Sequence, residues 1–71
     1  MIDTKPIETI RWILSAPNWK VTCSSKNDAV FCGRSARRAG RGVRLMEERD
    51  TFVDGERVDH RETDQTSLLT L

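Results

Sequence analysis

Five arginines, Arg34, Arg37, Arg38, Arg41 and Arg44, crowd one short stretch that contains no acidic residue. Gly33, Gly40 and Gly42 are interleaved with them. A guanidinium is a planar fork that grips phosphate oxygens in pairs. Glycine lets the backbone bend close to a phosphate chain. The pattern points to a polyanion, and nucleic acid is the preferred one. Four such contacts on duplex DNA give a slope of about −3.6 for log affinity against log salt. No helix-turn-helix, zinc-finger or aromatic ribonucleoprotein pattern accompanies the cluster, so sequence-specific readout is not expected.

An acidic stretch follows. Residues 19–46 hold seven basic residues against Asp28 alone, a balance of +6, whereas residues 47–64 hold eight acids against Arg49, Arg57 and Arg61, a balance of −5. Blocks of opposite sign imply either a charged partner or pairing within the molecule. Glu47, Glu48 and Asp50 head the acidic block and form, with Trp12, a candidate protein interface. The same acids also suit a solvated strand face, or a cover that neutralises the arginines.

Catalysis finds less support. Asp54, Glu56, Asp59 and His60 stand close enough in sequence to raise a metal-dependent nuclease, yet Asp54-Gly55-Glu56 is better explained as a turn. Cys23 and Cys32 lack CxxC spacing, and His60 is the only histidine, so a zinc set is incomplete. The cysteines read as two buried, reduced thiols. No nucleophile is paired with His60 by a known spacing, and it reads as a surface histidine. No catalytic residue, cofactor, metal or small-molecule substrate is expected.

The elements that must position these groups follow from periodicity. Ile7, Ile10, Ile13 and Leu14 share one face at helical spacing, with Asp3 or Thr4 as cap, Pro6 in the first turn and Pro17 as stop. The spacing predicts a helix over about 4–15. On that helix Trp12 lies roughly 160° from the centre of the isoleucine face, exposed as an anchor for a partner. Residues 19–33 predict a hairpin: Trp19 to Cys23, a turn at Ser24 to Asp28, and a return strand Ala29 to Cys32. Its register gathers Trp19, Val21, Cys23, Val30 and Cys32 on one face. An Arg/Gly-rich loop spans 33–42, where Ser35 to Gly40 could make one helical turn. A strand and a second hairpin, turning at Asp54-Gly55, cover about 43–61, and a tail runs over 62–71.

Helix, Asn18-Trp19-Lys20 and hairpin, in that order, resemble the small bacterial mRNA-cleaving toxins with a double-stranded-RNA-binding-like fold, over the N-terminal part of the chain only. Those toxins place a catalytic histidine in the hairpin region. Residues 19–46 contain none, so no catalytic role is carried across and no family is assigned.

The chain has 71 residues, 37% hydrophobic and 32% charged. That is one small domain with a modest core. The expected fold is α+β, an N-terminal amphipathic helix packed on a three- or four-stranded antiparallel β-sheet. No apolar run reaches membrane length and no signal-peptide layout opens the chain, so the cytoplasm is expected. The leading functional expectation is a non-enzymatic binding protein that engages nucleic acid, or a nucleic-acid-handling complex, through the arginines. The alternative is an inhibitor or accessory factor of the kind phages and mobile elements encode, anti-CRISPR or anti-restriction in character, acting through its charged strips and Trp12. A homodimer is also considered, since basic and acidic strips could pair between copies.

Overall fold

Residues 7–16 satisfy two periodicities at once. The isoleucines fit a helix, but Trp12, Leu14 and Ala16 alternate with period two, and Ile7, Thr9, Ile10 and Ile13 are β-branched. In the structure, a computed structural model that describes residues 5–70, the strand pattern prevails. The expected N-terminal helix is replaced by strand β1, Ile7–Ala16. Pairing to one neighbouring strand along Ile7–Ser15, and to a second over Trp12–Ala16, satisfies backbone groups between strands and puts Trp12 and Leu14 on a buried face, where an isolated helix of this length is marginal. The caps expected at Asp3 and Thr4 lie outside the described residues.

Pro17 and Asn18 then form a tight two-residue connection. The proline ring fixes φ near −65°, and Asn18 takes the left-handed conformation at φ 61° that asparagine tolerates. The chain returns as β2, Trp19–Cys23, antiparallel to β1 with Ala16 opposite Trp19.

The return strand expected at Ala29 to Cys32 does not form. Those residues lie inside helix α1, Lys26–Arg38. Ser25 caps it: its hydroxyl accepts a hydrogen bond from the Asp28 amide at 3.1 Å. Asp28 sits in the first turn, and Arg37 and Arg38 in the last, each complementing the helix dipole. Gly40, at φ 91°, terminates it as a left-handed residue past the C-cap Ala39. Most of the expected Arg/Gly loop is therefore helix.

Strand β3, Arg44–Val53, and strand β4, Glu56–Asp64, form a long hairpin. Asp54 and Gly55 turn it with φ 53° and 80°, the paired positive angles of a type I′ turn. The four strands make one antiparallel sheet in the order β2-β1-β3-β4. Beyond it, Thr66–Leu69 make one 3-10 turn. The Leu45 amide donates to Thr66 Oγ1 at 3.1 Å, and the Gln65 amide to the Leu45 carbonyl at 2.8 Å, which fastens this turn to β3.

The core sits at one end of the sheet. Trp12, Leu14, Ala29, Val43, Leu45 and Leu69 are its buried members. Trp12 is only 8% exposed, which corrects its expected place on an open helix face. Gly33 is where α1 meets the sheet: a Cβ there would lie 2.5 Å from Leu69 Cδ2 and 3.0 Å from Leu14 Cδ2. The molecule is elongated, 55 × 21 × 15 Å, because the far half of β1, β3 and β4 extends beyond the helix. No helix among the described residues is long and apolar enough to cross a membrane.

Gly33→Ala tests this packing. Alanine is favoured over glycine in a helix by about 1 kcal/mol, but overpacking a filled core costs about 1–3 kcal/mol. Leu14 and Leu69 are both fully buried, so the clash outweighs the propensity. Denaturant unfolding should show a net loss of up to about 2 kcal/mol. A stabilised variant would show instead that Leu69 yields freely.

Candidate nucleic-acid interface

Helix α1 carries the chemistry that the arginines supply, and its seating on Gly33 decides which side chains face outward. Ala29 and Gly33 are buried against the sheet. Lys26, Arg34 and Arg38 line a groove of 440 Å3, together with Asn27, Ser35 and Phe31. Lys26, Val30, Arg34 and Arg38 recur every four residues along the helix and Asn27, Phe31 and Ser35 make the adjoining row, so together they form one lengthwise stripe. The half-buried Val30 and Leu68, which pack on the core, line its apolar side.

The five expected arginines do not act as one loop. Arg34 Nη2 donates to the Leu68 carbonyl at 3.2 Å, while its buried Nε has no partner. Arg37 Nε donates to the Val43 carbonyl at 3.3 Å and so braces the connection into β3. The Arg41 guanidinium stacks 5.6 Å from the Trp19 ring centroid, a cation–π contact at the core margin. Arg38 is exposed in the groove. Arg44 precedes the inward-facing Leu45 and therefore projects from the opposite face of the sheet, where hydrogen bonds from Thr66 first, and then the charge of Arg44, hold the Asp64 carboxyl below its ordinary value. Sequence reasoning had no place for Lys26 and Phe31 in this surface. The signal that finds them is Ser25-Lys26-Asn27-Asp28, which matches the spacing of a capping box and starts the helix that presents them.

The acidic block turns to arginines of its own sheet. Arg11 pairs with Glu48 and, at 3.4 Å, with Asp50. Arg49 bridges Glu47 at 2.8 Å and Glu8 at 3.3 Å, and Arg61 meets Asp59 at 3.1 Å. Among the described residues, no carboxylate lies within 4 Å of Lys26, Arg34, Arg37, Arg38, Arg41 or Arg44. The cover that the sequence allowed over the arginines is not made.

Asp50 is the hub of the opposite face. It is 4% exposed, surrounded by Arg11, by Arg57 at 3.7 Å and by His60, whose Nδ1 lies 2.5 Å from Oδ1. His60 Nε2 reaches Glu62 at 3.3 Å. His60 is exposed, as a surface histidine should be, and is tied into a network of carboxylates. Glu48, Asp50 and His60 each place one ligand atom within 4.8 Å of the others, near enough to share a divalent cation. Asp50 is already balanced by two guanidiniums and the imidazole, so ion pairing accounts for the cluster. Asp54 and Glu56 are at the hairpin turn and do not join it. Cys32 is exposed and Cys23 half-buried, contrary to the expected pair of buried thiols. They meet across the junction of β2 and α1, where burial first, then the neighbouring Cys32, pushes the Cys23 thiol up.

The Asp50–His60 pair makes stability depend on pH. The hydrogen bond to Asp50, then that to Glu62, raises the His60 pKa. The same bond to His60 holds Asp50 below its ordinary value, with Arg57 and Arg11 adding to it. His60 therefore contributes stability that is full below the unfolded value of about 6.5 and is lost as pH rises through its higher folded value. Asp50 contributes above about 3.9 and loses its part as pH falls through its lower folded value. Denaturation midpoints of wild type and His60→Gln should differ most near about pH 5 and converge at alkaline pH. Parallel pH profiles would contradict the pairing.

Comparison with protein-family models, with curated proteins and with solved structures finds no match for this chain, so the reading of the groove rests on its own geometry.

Proposed function

We propose that this chain is a non-enzymatic nucleic-acid-binding protein that holds phosphates with the basic stripe of α1. Lys26, Arg34 and Arg38 are the gripping residues, with Arg37 and Arg41 adding positive potential at the helix end. One observation carries the reading: six acids of the sheet, Glu8, Glu47, Glu48, Asp50, Asp59 and Glu62, are paired with Arg11, Arg49, Arg57, Arg61 and His60, while among the described residues the cations of α1 and its C-terminal loop have no carboxylate within ion-pairing reach. Their positive field is therefore directed at solvent and at polyanions arriving from it.

The alternative, an inhibitor that engages a protein through Trp12 and the acidic strip, draws no support from the same geometry. Trp12 belongs to the core, and Glu47, Glu48 and Asp50 are shielded by their own arginines.

The test avoids residues that also brace the fold. Arg34 and Arg37 bond to backbone carbonyls, whereas Lys26 and Arg38 are exposed with no such bond. Fluorescence anisotropy against labelled DNA and RNA should show affinity that falls with salt. Lys26→Glu/Arg38→Glu should weaken binding tenfold or more and flatten the salt slope by about 1.4–1.8 units, the loss of two phosphate contacts. A folded double variant that binds as wild type does would overturn the proposal.

A further inference from the structure

Among the described residues, the most exposed large apolar side chain lies in this same stripe. Phe31 is 73% exposed. It sits about one turn before Ser35, about two turns before Arg38 and about 160° round the helix from Gly33, so seating α1 on the sheet drives the ring outward. No core contact needs an aromatic there. Phe31 is flanked by Asn27 and Ser35 one turn either side, and the groove that it lines holds three cations and no acid.

Phosphate binding alone gives no use to an exposed ring. A cationic groove with an aromatic side chain standing in it is the arrangement by which proteins hold single strands: the backbone follows the charges and an unpaired base stacks on the ring. In a duplex both faces of every base are already covered by neighbours, so Phe31 would gain nothing from it. The axial spacing also suits a short strand. Lys26 and Arg34 are about 12 Å apart along the helix axis, and Arg34 and Arg38 about 6 Å, with Phe31 between the first two. The polar amide of Asn27 and hydroxyl of Ser35 stand beside the ring, where a base edge would lie.

We infer that the ligand of this groove is single-stranded nucleic acid, with an unpaired base stacked on Phe31 while Lys26, Arg34 and Arg38 hold the adjoining phosphates. The inference rests on the phosphate-binding reading of α1 and adds the strandedness of the ligand and the residue that selects it.

The full-length chain and three variants, Phe31→Ala, Phe31→Trp and Lys26→Glu/Arg38→Glu, would be titrated into a labelled mixed-sequence single-stranded oligonucleotide and into its duplex. Phe31 is exposed enough that its replacement leaves the fold intact. Wild type should prefer the single strand. Phe31→Ala should lose about tenfold on it and little on the duplex, with the salt slope unchanged, and Phe31→Trp should restore the preference. Salt-dependent binding that the charge reversal abolishes, but that ignores both strandedness and Phe31, would overturn this inference and leave the phosphate-binding reading standing. Binding indifferent to the charge reversal would overturn both. If Phe31→Ala merely converts a dimer to a monomer in sedimentation, with the ratio of single-strand to duplex affinity unchanged, the ring is a self-association contact and the inference fails.

Discussion

The contact of Gly33 with Leu14 and Leu69 is the constraint on which the rest of the molecule depends. A larger residue would push against Leu14 and Leu69, and only the equally buried Ala29 anchors α1 beside it. Glycine in a helix interior costs about 1 kcal/mol relative to alanine, and here it brings the helix close enough for Leu14, Leu45 and Leu69 to be wholly enclosed. The same contact fixes the helix rotation. With Ala29 and Gly33 inward, Phe31 and Arg38 have nowhere to go but solvent. The packing that stabilises the fold also creates its functional surface.

The far half of the sheet is held by different means. Among the described residues no helix covers it, and ion pairs bridge its strands on both faces, Arg49 to Glu8 on one, and Arg11 to Glu48 and Arg57 and His60 to Asp50 on the other. Exposed pairs of this kind contribute little singly. Asp50, shielded by three cationic neighbours, is the exception that ties the strands together. The charged, exposed length of β4 also guards an open edge against strand addition. This division of labour has an electrostatic consequence. Arginines within the sheet pair with most of its acids, and the positive charge of α1 is left over. The segregation of charge along the sequence thus becomes a segregation between two regions of the surface.

Parts of this were legible in the sequence. Asp54-Gly55 specifies a turn with two positive φ angles, a local requirement that few other dipeptides meet, and Trp19 to Cys23 alternates as a strand must. The N-terminal segment misled because Ile7, Ile10, Ile13 and Leu14 fit a helix as well as a strand, and only pairing to β2 and β3 decides between them. Val30, Phe31 and Cys32 are strand formers that a cap at Ser25 and a stop at Gly40 overrule. The arginines were visible as a charge block, but their split among the groove, the brace at Val43, the Trp19 stack and the opposite sheet face is a tertiary fact. Phe31 was hidden altogether, since its exposure follows from the rotation that Gly33 imposes.

The most direct test of the account is to titrate a single-stranded oligonucleotide into isotopically labelled protein and map the amide shifts. The account predicts perturbation along Lys26 to Arg38 and at Leu68, with the strands from Glu47 to Asp64 undisturbed. Shifts concentrated on the acidic hairpin, or none along α1, would contradict it.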